Sequence, residues 1–152
     1  MKKLFLVLFT CSFFMPLWAQ KATVTDLQGK WKLITYTTIN CSLDVATGKA
    51  TVTETAKTLG KGLTDQLKKD IEAYADNLKI AYVEIEGNNY MQVIYDKVKA
   101  GPFTISEQEN NQVINAQFDD GTTGSMYFKI NGDKLILYFP QSSKTYTYQK
   151  EK

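Results

Sequence analysis

Histidine is absent from this 152-residue chain, and arginine is absent with it: all eighteen basic residues are lysine. The first absence removes the usual general base and the commonest metal ligand. It excludes Ser-His-Asp and Cys-His catalysis, and no protein-bound metal or cofactor is expected. The second absence removes the planar fork that grips phosphate or carboxylate through two parallel hydrogen bonds. Cysteine occurs twice, at Cys11 and Cys41. Cys11 lies in an apolar leader, so one thiol remains after cleavage and no intrachain disulfide is possible. With no histidine to activate it, Cys41 reads as a small buried thiol rather than a nucleophile.

The leader comes first in what is present. Lys2 and Lys3 precede an apolar run from Leu4 to Phe14, Pro16 ends it, and Ala19 offers a small residue before Gln20. This is the pattern of a secretory signal peptide over residues 1–19, too short for a comfortable membrane-spanning helix. It predicts an exported protein, periplasmic or secreted. Leu8-Phe9-Thr10-Cys11 loosely resembles a lipoprotein cleavage site. The threonine before the cysteine and the phenylalanines after it argue against a lipid-anchored form. Residues 20–152 make one domain with a real core. Losing Lys2 and Lys3 leaves sixteen lysines against the sixteen acidic residues. No global field then favours nucleic acid or an anionic membrane, and stable membrane insertion is not expected.

Along the chain, Lys30 to Ile39 reads as a strand. Its alternation slips by one after Leu33, to Ile34 and Tyr36, which predicts a bulge or bend. Leu43 to Thr53 fits either a small hairpin about Ala46-Thr47-Gly48-Lys49 or an ordered loop. Leu63, Leu67, Ile71, Tyr74 and Leu78 then form one apolar stripe at helical spacing. Gly60 and Gly62 predict a helix start near Leu63, and Asn77 a stop. From Ile80 onward the pattern is a meander of short alternating strands with turns at Gly87-Asn88-Asn89, Glu109-Asn110-Asn111, Asp119-Asp120-Gly121 and Asn131-Gly132-Asp133. Met91, Val93 and Tyr95 are placed on the inner face of one strand. The total is about eight strands, the pattern of an all-β sandwich or an up-and-down barrel.

Leu27-Gln28-Gly29-Lys30-Trp31-Lys32-Leu33, together with Asn131-Gly132-Asp133-Lys134-Leu135 and Thr145-Tyr146-Thr147-Tyr148-Gln149-Lys150, resembles the small exported lipocalin-like domains of Bacteroidota. The resemblance spans most of residues 26–150 and rests on a few positions. It implies an eight-stranded antiparallel up-and-down barrel over residues 20–152, with one amphipathic helix inserted between the first and second barrel strands. It also implies that Trp31 and Gly29 plug the closed end, with Lys150 over the indole where lipocalins usually carry arginine. The inserted helix departs from classical lipocalins and is similar in position to the helical lid of the fatty-acid-binding proteins.

An interior for a small hydrophobic ligand is assigned to Tyr36, Val83, Met91, Val93, Tyr95, Phe103, Phe118, Met126, Phe128, Phe139, Tyr146 and Tyr148, with Leu63 and Leu67 on the lid. The same side chains equally suit a filled barrel, and the helix stripe suits core packing better than a ligand lid. The acidic pairs Glu84/Glu86 and Asp119/Asp120 read as solvated. The leading expectation is non-catalytic binding or transport of a small hydrophobic molecule. The alternative is a protein-interaction or envelope-structural module, with a filled barrel and an outer patch of Tyr82, Ile94, Tyr127, Ile136 and Tyr138.

Overall fold

The computed structural model describes residues 21–152. The leader and Cys11 lie outside the described residues. A short helix, α1 (Val24–Leu27), leads into β1 (Gly29–Thr37), the hairpin β2 (Cys41–Asp44) and β3 (Lys49–Val52), and the helices α2 (Lys61–Glu72) and α3 (Ala75–Leu78). The meander follows: β4 (Tyr82–Glu86), β5 (Asn89–Ile94), β6 (Lys97–Gln108), β7 (Asn111–Gln117), β8 (Thr123–Asn131), β9 (Lys134–Phe139) and β10 (Lys144–Lys150). β4 to β10 each pair antiparallel with the next, and β1 pairs with both β4 and β10. Eight strands therefore close into a barrel.

β1 does three jobs along one length. One edge runs beside β10 from Trp31↔Lys150 to Thr37↔Thr145. The other edge is divided. Gly29–Lys32 pairs with β4, and Thr35–Thr37 pairs with β2. The bulge expected from the alternation sits between them, where the β10 register shifts between Leu33 and Thr35. The Leu33 N–H donates to the Ala81 carbonyl at 3.0 Å, while the Ile34 carbonyl accepts from the Val45 N–H at 3.0 Å. An extra residue in one strand bends it and increases its twist. Here it hands the edge from one neighbour to another. Leu43 to Thr53 is thus resolved in favour of the hairpin.

The helical segment differs in detail from its sequence expectation. α2 starts at Lys61, two residues before Leu63, because Gly60 occupies the N-cap and Gly62 lies inside the first turn. The stretch breaks at Ala73–Tyr74, then α3 runs to Leu78. Leu67, Ile71, Ala75 and Leu78 face the core, but Leu63 is 52% exposed and Tyr74 49%. The stripe overshoots at its start, since Leu63 in the first turn of α2 is not among the side chains packed on the core. Glu72 accepts from the Ala50 N–H at 2.9 Å. That bond caps one of the free amides on the outer edge of β3.

The end with β1's N-terminus is closed. The Trp31 indole N–H donates to the Leu27 carbonyl at 2.8 Å, tying α1 across the opening. The Gln112 amide accepts from Ala22 N at 2.8 Å and donates to Ala22 O at 2.7 Å. Gln28 makes the same double bond with the backbone of Gly87. Lys150 Nζ lies 4.9 Å from the centre of the Trp31 ring. A side chain at Gly29, where φ is +109°, would press on Lys150 Cε at 3.3 Å.

Gly101 lies in β6 just before its pairing passes from β5 to β7. A Cβ there would run into the backbone carbonyl of Gln117 on β7. Substitution Gly101→Ala must push the two strands apart, and the expected loss is about 3 kcal/mol of unfolding free energy. A urea melt of the variant beside the parent checks this. An unchanged midpoint would refute the close approach.

Candidate functional site

The deep half of the barrel is packed. Trp31, Leu33, Val83, Ile85, Tyr90, Ile114, Met126, Leu135, Leu137 and Tyr148 are each almost fully buried, and Phe103 and Phe128 nearly so. Val83, Phe103, Met126, Phe128 and Tyr148 therefore belong to the filled core rather than to the wall of an open interior. An eight-stranded barrel leaves about enough room for its own side chains.

The other end is the mouth. It is formed by the loops after β1, β5, β7 and β9, and by α2. A cleft of about 380 Å³ opens there between α2 and the barrel. Leu67 and Ile71 supply its apolar helical side, with Cys41 from the hairpin. Tyr36, Tyr95 and Lys144 line the barrel side, Tyr74 joins from the break between α2 and α3, and Asp70 stands at the edge. Tyr36 and Tyr146 meet with ring centres 5.0 Å apart, Tyr146 and Tyr148 at 6.4 Å, and Tyr74 meets Tyr95 edge-on at 6.1 Å. Burial raises the hydroxyl pKa values of Tyr36, Tyr95 and Tyr146, so these groups stay protonated and can donate. Burial also raises the Cys41 thiol, which fits an unreactive side chain.

β5 corrects the sequence reading. Tyr90 and Gln92 point inward, opposite Ile85 and Val83, while Met91 and Val93 face outward beside Glu84 and Tyr82. Ile94, expected on the outer face, packs against the core. Tyr95 still reaches the mouth, because its positive φ of 57° turns the chain at the end of the strand. Tyr36, Leu67 and Tyr95 line the α2 cleft, and Phe118 and Phe139 line a second one described below. Leu63 lines neither. Thr38, Asn40, Asp70 and Lys144 were missed, although Lys144 is in phase with Tyr146 and Tyr148 and continuing that alternation finds it.

Inside the barrel one short polar string interrupts the apolar packing. Gln92 Nε2 donates to the Tyr148 hydroxyl at 3.1 Å, and both residues are buried. The nearby Tyr90 hydroxyl is fully buried and has no hydrogen-bond partner among the described residues. Its pKa rises well above the usual value, through desolvation first and the neighbouring Tyr148 second. The two hydroxyls predict opposite outcomes. Tyr148→Phe strands a buried amide donor and costs about 1–3 kcal/mol. Tyr90→Phe removes an unpartnered hydroxyl, and stability stays equal or rises by about 1 kcal/mol. Chemical denaturation of both variants checks the pair; a clear loss in Tyr90→Phe would reveal a partner for that hydroxyl.

At the far side of the mouth, Lys99 donates to Asp120 at 3.0 Å and to Thr122 Oγ1 at 2.7 Å. Bonds from the Thr122 hydroxyl and backbone N–H, then from Lys99, pull the Asp120 carboxyl down to about 2. Because the folded value lies below the ordinary 3.8, this latch contributes above that value and is lost as pH falls through about 2. A carbon-13 titration of the Asp120 carboxyl is expected to show that low midpoint, and a midpoint near 3.8 would mean the latch is open in solution.

Comparison of the chain with protein-family models, curated proteins and solved structures finds no match.

Proposed function

We propose that this chain is an exported, lipocalin-like binding protein that holds a small, largely apolar molecule at the mouth of its barrel and catalyses no reaction. The observation that carries the reading is the α2 cleft. It joins an apolar wall, Leu67 and Ile71, to the tyrosines Tyr36, Tyr74 and Tyr95. Apolar burial supplies affinity, and the few hydroxyls fix the orientation of a polar end. A volume of about 380 Å³ suits a molecule of modest size. The packed core beneath it argues against a long chain threaded down the barrel axis. The leader-like residues 1–19 support a periplasmic or secreted location.

A second reading, a module for a protein partner, draws on one outer-face feature. Tyr127 and Tyr138 stack with ring centres 6.2 Å apart and planes 12° from parallel, beside Ile136. Tyr82 and Ile94 do not extend this patch, since Lys30 lies over the Tyr82 ring at 4.4 Å and Ile94 faces inward.

The test begins with a native mass spectrum of the chain recovered gently from cells that produce it. The expected result is an added mass that leaves on denaturation and extracts into organic solvent. Leu67→Asp, which puts a charge in the cleft, should weaken rebinding about tenfold or more, whereas Tyr127→Ala on the outer face should leave it unchanged. A chain that stays bare after incubation with fatty acids, sterols, haem and isoprenoids would sink the binding reading.

A further inference from the structure

A second cleft of about 500 Å³ opens on the opposite side of the mouth, between the starts of β6 and β8 and the turn joining β9 to β10. Phe118, Phe139 and Pro140 give it apolar walls, and Ser142 and Gln141 stand on its rim. Gln92 lines it from below with its side chain nine-tenths buried. Its sole polar contact among the described residues is the bond to Tyr148.

That amide is out of place as packing. Gln92 sits between Val83 on β4 and Lys99 on β6, against the buried Tyr148, where a leucine or methionine would bury the same volume without desolvating an amide. A glutamine amide has two N–H donors and a carbonyl that accepts two bonds. Tyr148 takes one donor. The other N–H and the carbonyl have no partner among the described residues. The Tyr148 hydroxyl both donates and accepts, so it can hold the amide in either orientation.

The charge at the cleft wall is already neutralised. Two of the three Lys99 donors go to Asp120 and Thr122, and the ammonium lies 5.1 Å from the centre of the Phe118 ring. An anion gains little there. Gly124 contributes the remaining shape: a Cβ on it would meet Phe118 Cε2 at 2.9 Å, so its bareness lets the ring lie against β8 and leaves the cleft open.

We infer that this second cleft is a separate site for a small neutral molecule carrying a carboxamide or lactam edge, which pairs its own N–H and C=O with the amide of Gln92 between the walls of Phe118 and Phe139. The site is independent of the α2 cleft. It shares none of that cleft's lining residues and selects by hydrogen bonding rather than by apolar area.

The test is a nuclear magnetic resonance titration of the intact folded chain with 2-pyridone, which has the paired donor and acceptor, and with N-methyl-2-pyridone, which keeps the acceptor alone. The expected result is that 2-pyridone shifts the Gln92 side-chain amide and the Phe118 and Phe139 rings, and that the methylated ring binds about tenfold more weakly or worse. Gln92→Met should produce the same loss, with a melting curve run to confirm that it folds. Ser142→Trp, on the exposed turn, fills the cleft from outside and should abolish the shifts without touching the core. Equal binding of the two pyridones, shifts confined to Leu67, Ile71 and Tyr95, unaltered binding to Ser142→Trp, or no shift at all would each overturn the site. The two variants of the α2 cleft test, Leu67→Asp and Tyr127→Ala, should leave 2-pyridone binding unchanged, so the two sites fail separately.

Discussion

The fold turns on the divided edge of β1. A closed barrel needs every strand to have two neighbours along its full length, or something else to take the unpaired stretch. β4 is too short to accompany β1 to its end, and it leaves after Lys32. The bulge at Ile34 then turns the carbonyl of that residue toward Val45, and β2 takes over from Thr35. The hairpin that supplies β2 must leave the barrel wall, because β3 has no further barrel strand to meet. α2 packs on its inner side, and Glu72 caps an amide on its free edge. The α2 cleft is the space left where hairpin, helix and barrel rim fail to close on one another. Closure at one end and a cleft at the other therefore have one cause.

The contrast between the two ends follows. At the closed end, side-chain amides replace missing backbone partners: Gln112 for Ala22, Gln28 for Gly87, and the Trp31 indole for Leu27. Each carries a fixed geometry, so α1 is held at several points rather than merely packed. At the mouth the polar groups are hydroxyls, the Lys144 ammonium, the Asp70 carboxylate and the Asn40 amide at the α2 cleft, and the Lys99–Asp120 latch. Between the two lies the string from Gln92 to Tyr148, with the Tyr90 hydroxyl close to it. Buried polar networks are costly unless every member is satisfied. This one is incomplete at the Tyr90 hydroxyl, and Gln92 borders the second cleft, which is the ground for the site proposed there.

The sequence patterns that could be read were those with a single physical cause. Regular alternation between turn signals located β4 and β6 to β10, and the one-residue slip after Leu33 located the bulge. β5 runs against its sequence pattern because both of its faces look apolar. Met91, Val93 and Tyr95 are more hydrophobic than Tyr90, Gln92 and Ile94, so apolarity alone selects the wrong face. The buried glutamine inverts the signal, and a left-handed residue at Tyr95 then returns one member of the outward set to the mouth. The helix stripe was read one turn too far at Leu63, since periodicity shows which side of a helix is apolar and not where its neighbour ends. Thr38, Asn40 and Lys99 had no sequence signal as site residues, because loops and register bring them to the mouth from separate strands.

A mouth built without histidine or arginine has a particular chemistry. Histidine is the side chain whose ordinary pKa falls between 5 and 8, and the chain has none. Burial moves the hydroxyls of Tyr36, Tyr95 and Tyr146 upward, away from neutral pH. Hydrogen bonds move Asp120 the other way. None of these groups changes charge in the range where cells and their surroundings vary. Under the binding role proposed above, recognition at such a mouth would rest on fixed donors and acceptors and on apolar shape. Neutral ligands suit it better than ions, since a lysine ammonium offers charge without the two-pronged geometry that makes arginine selective. Selectivity must then come from a few correctly placed amides and hydroxyls, where one missing bond leaves a buried group unpaired and the penalty falls on the wrong ligand.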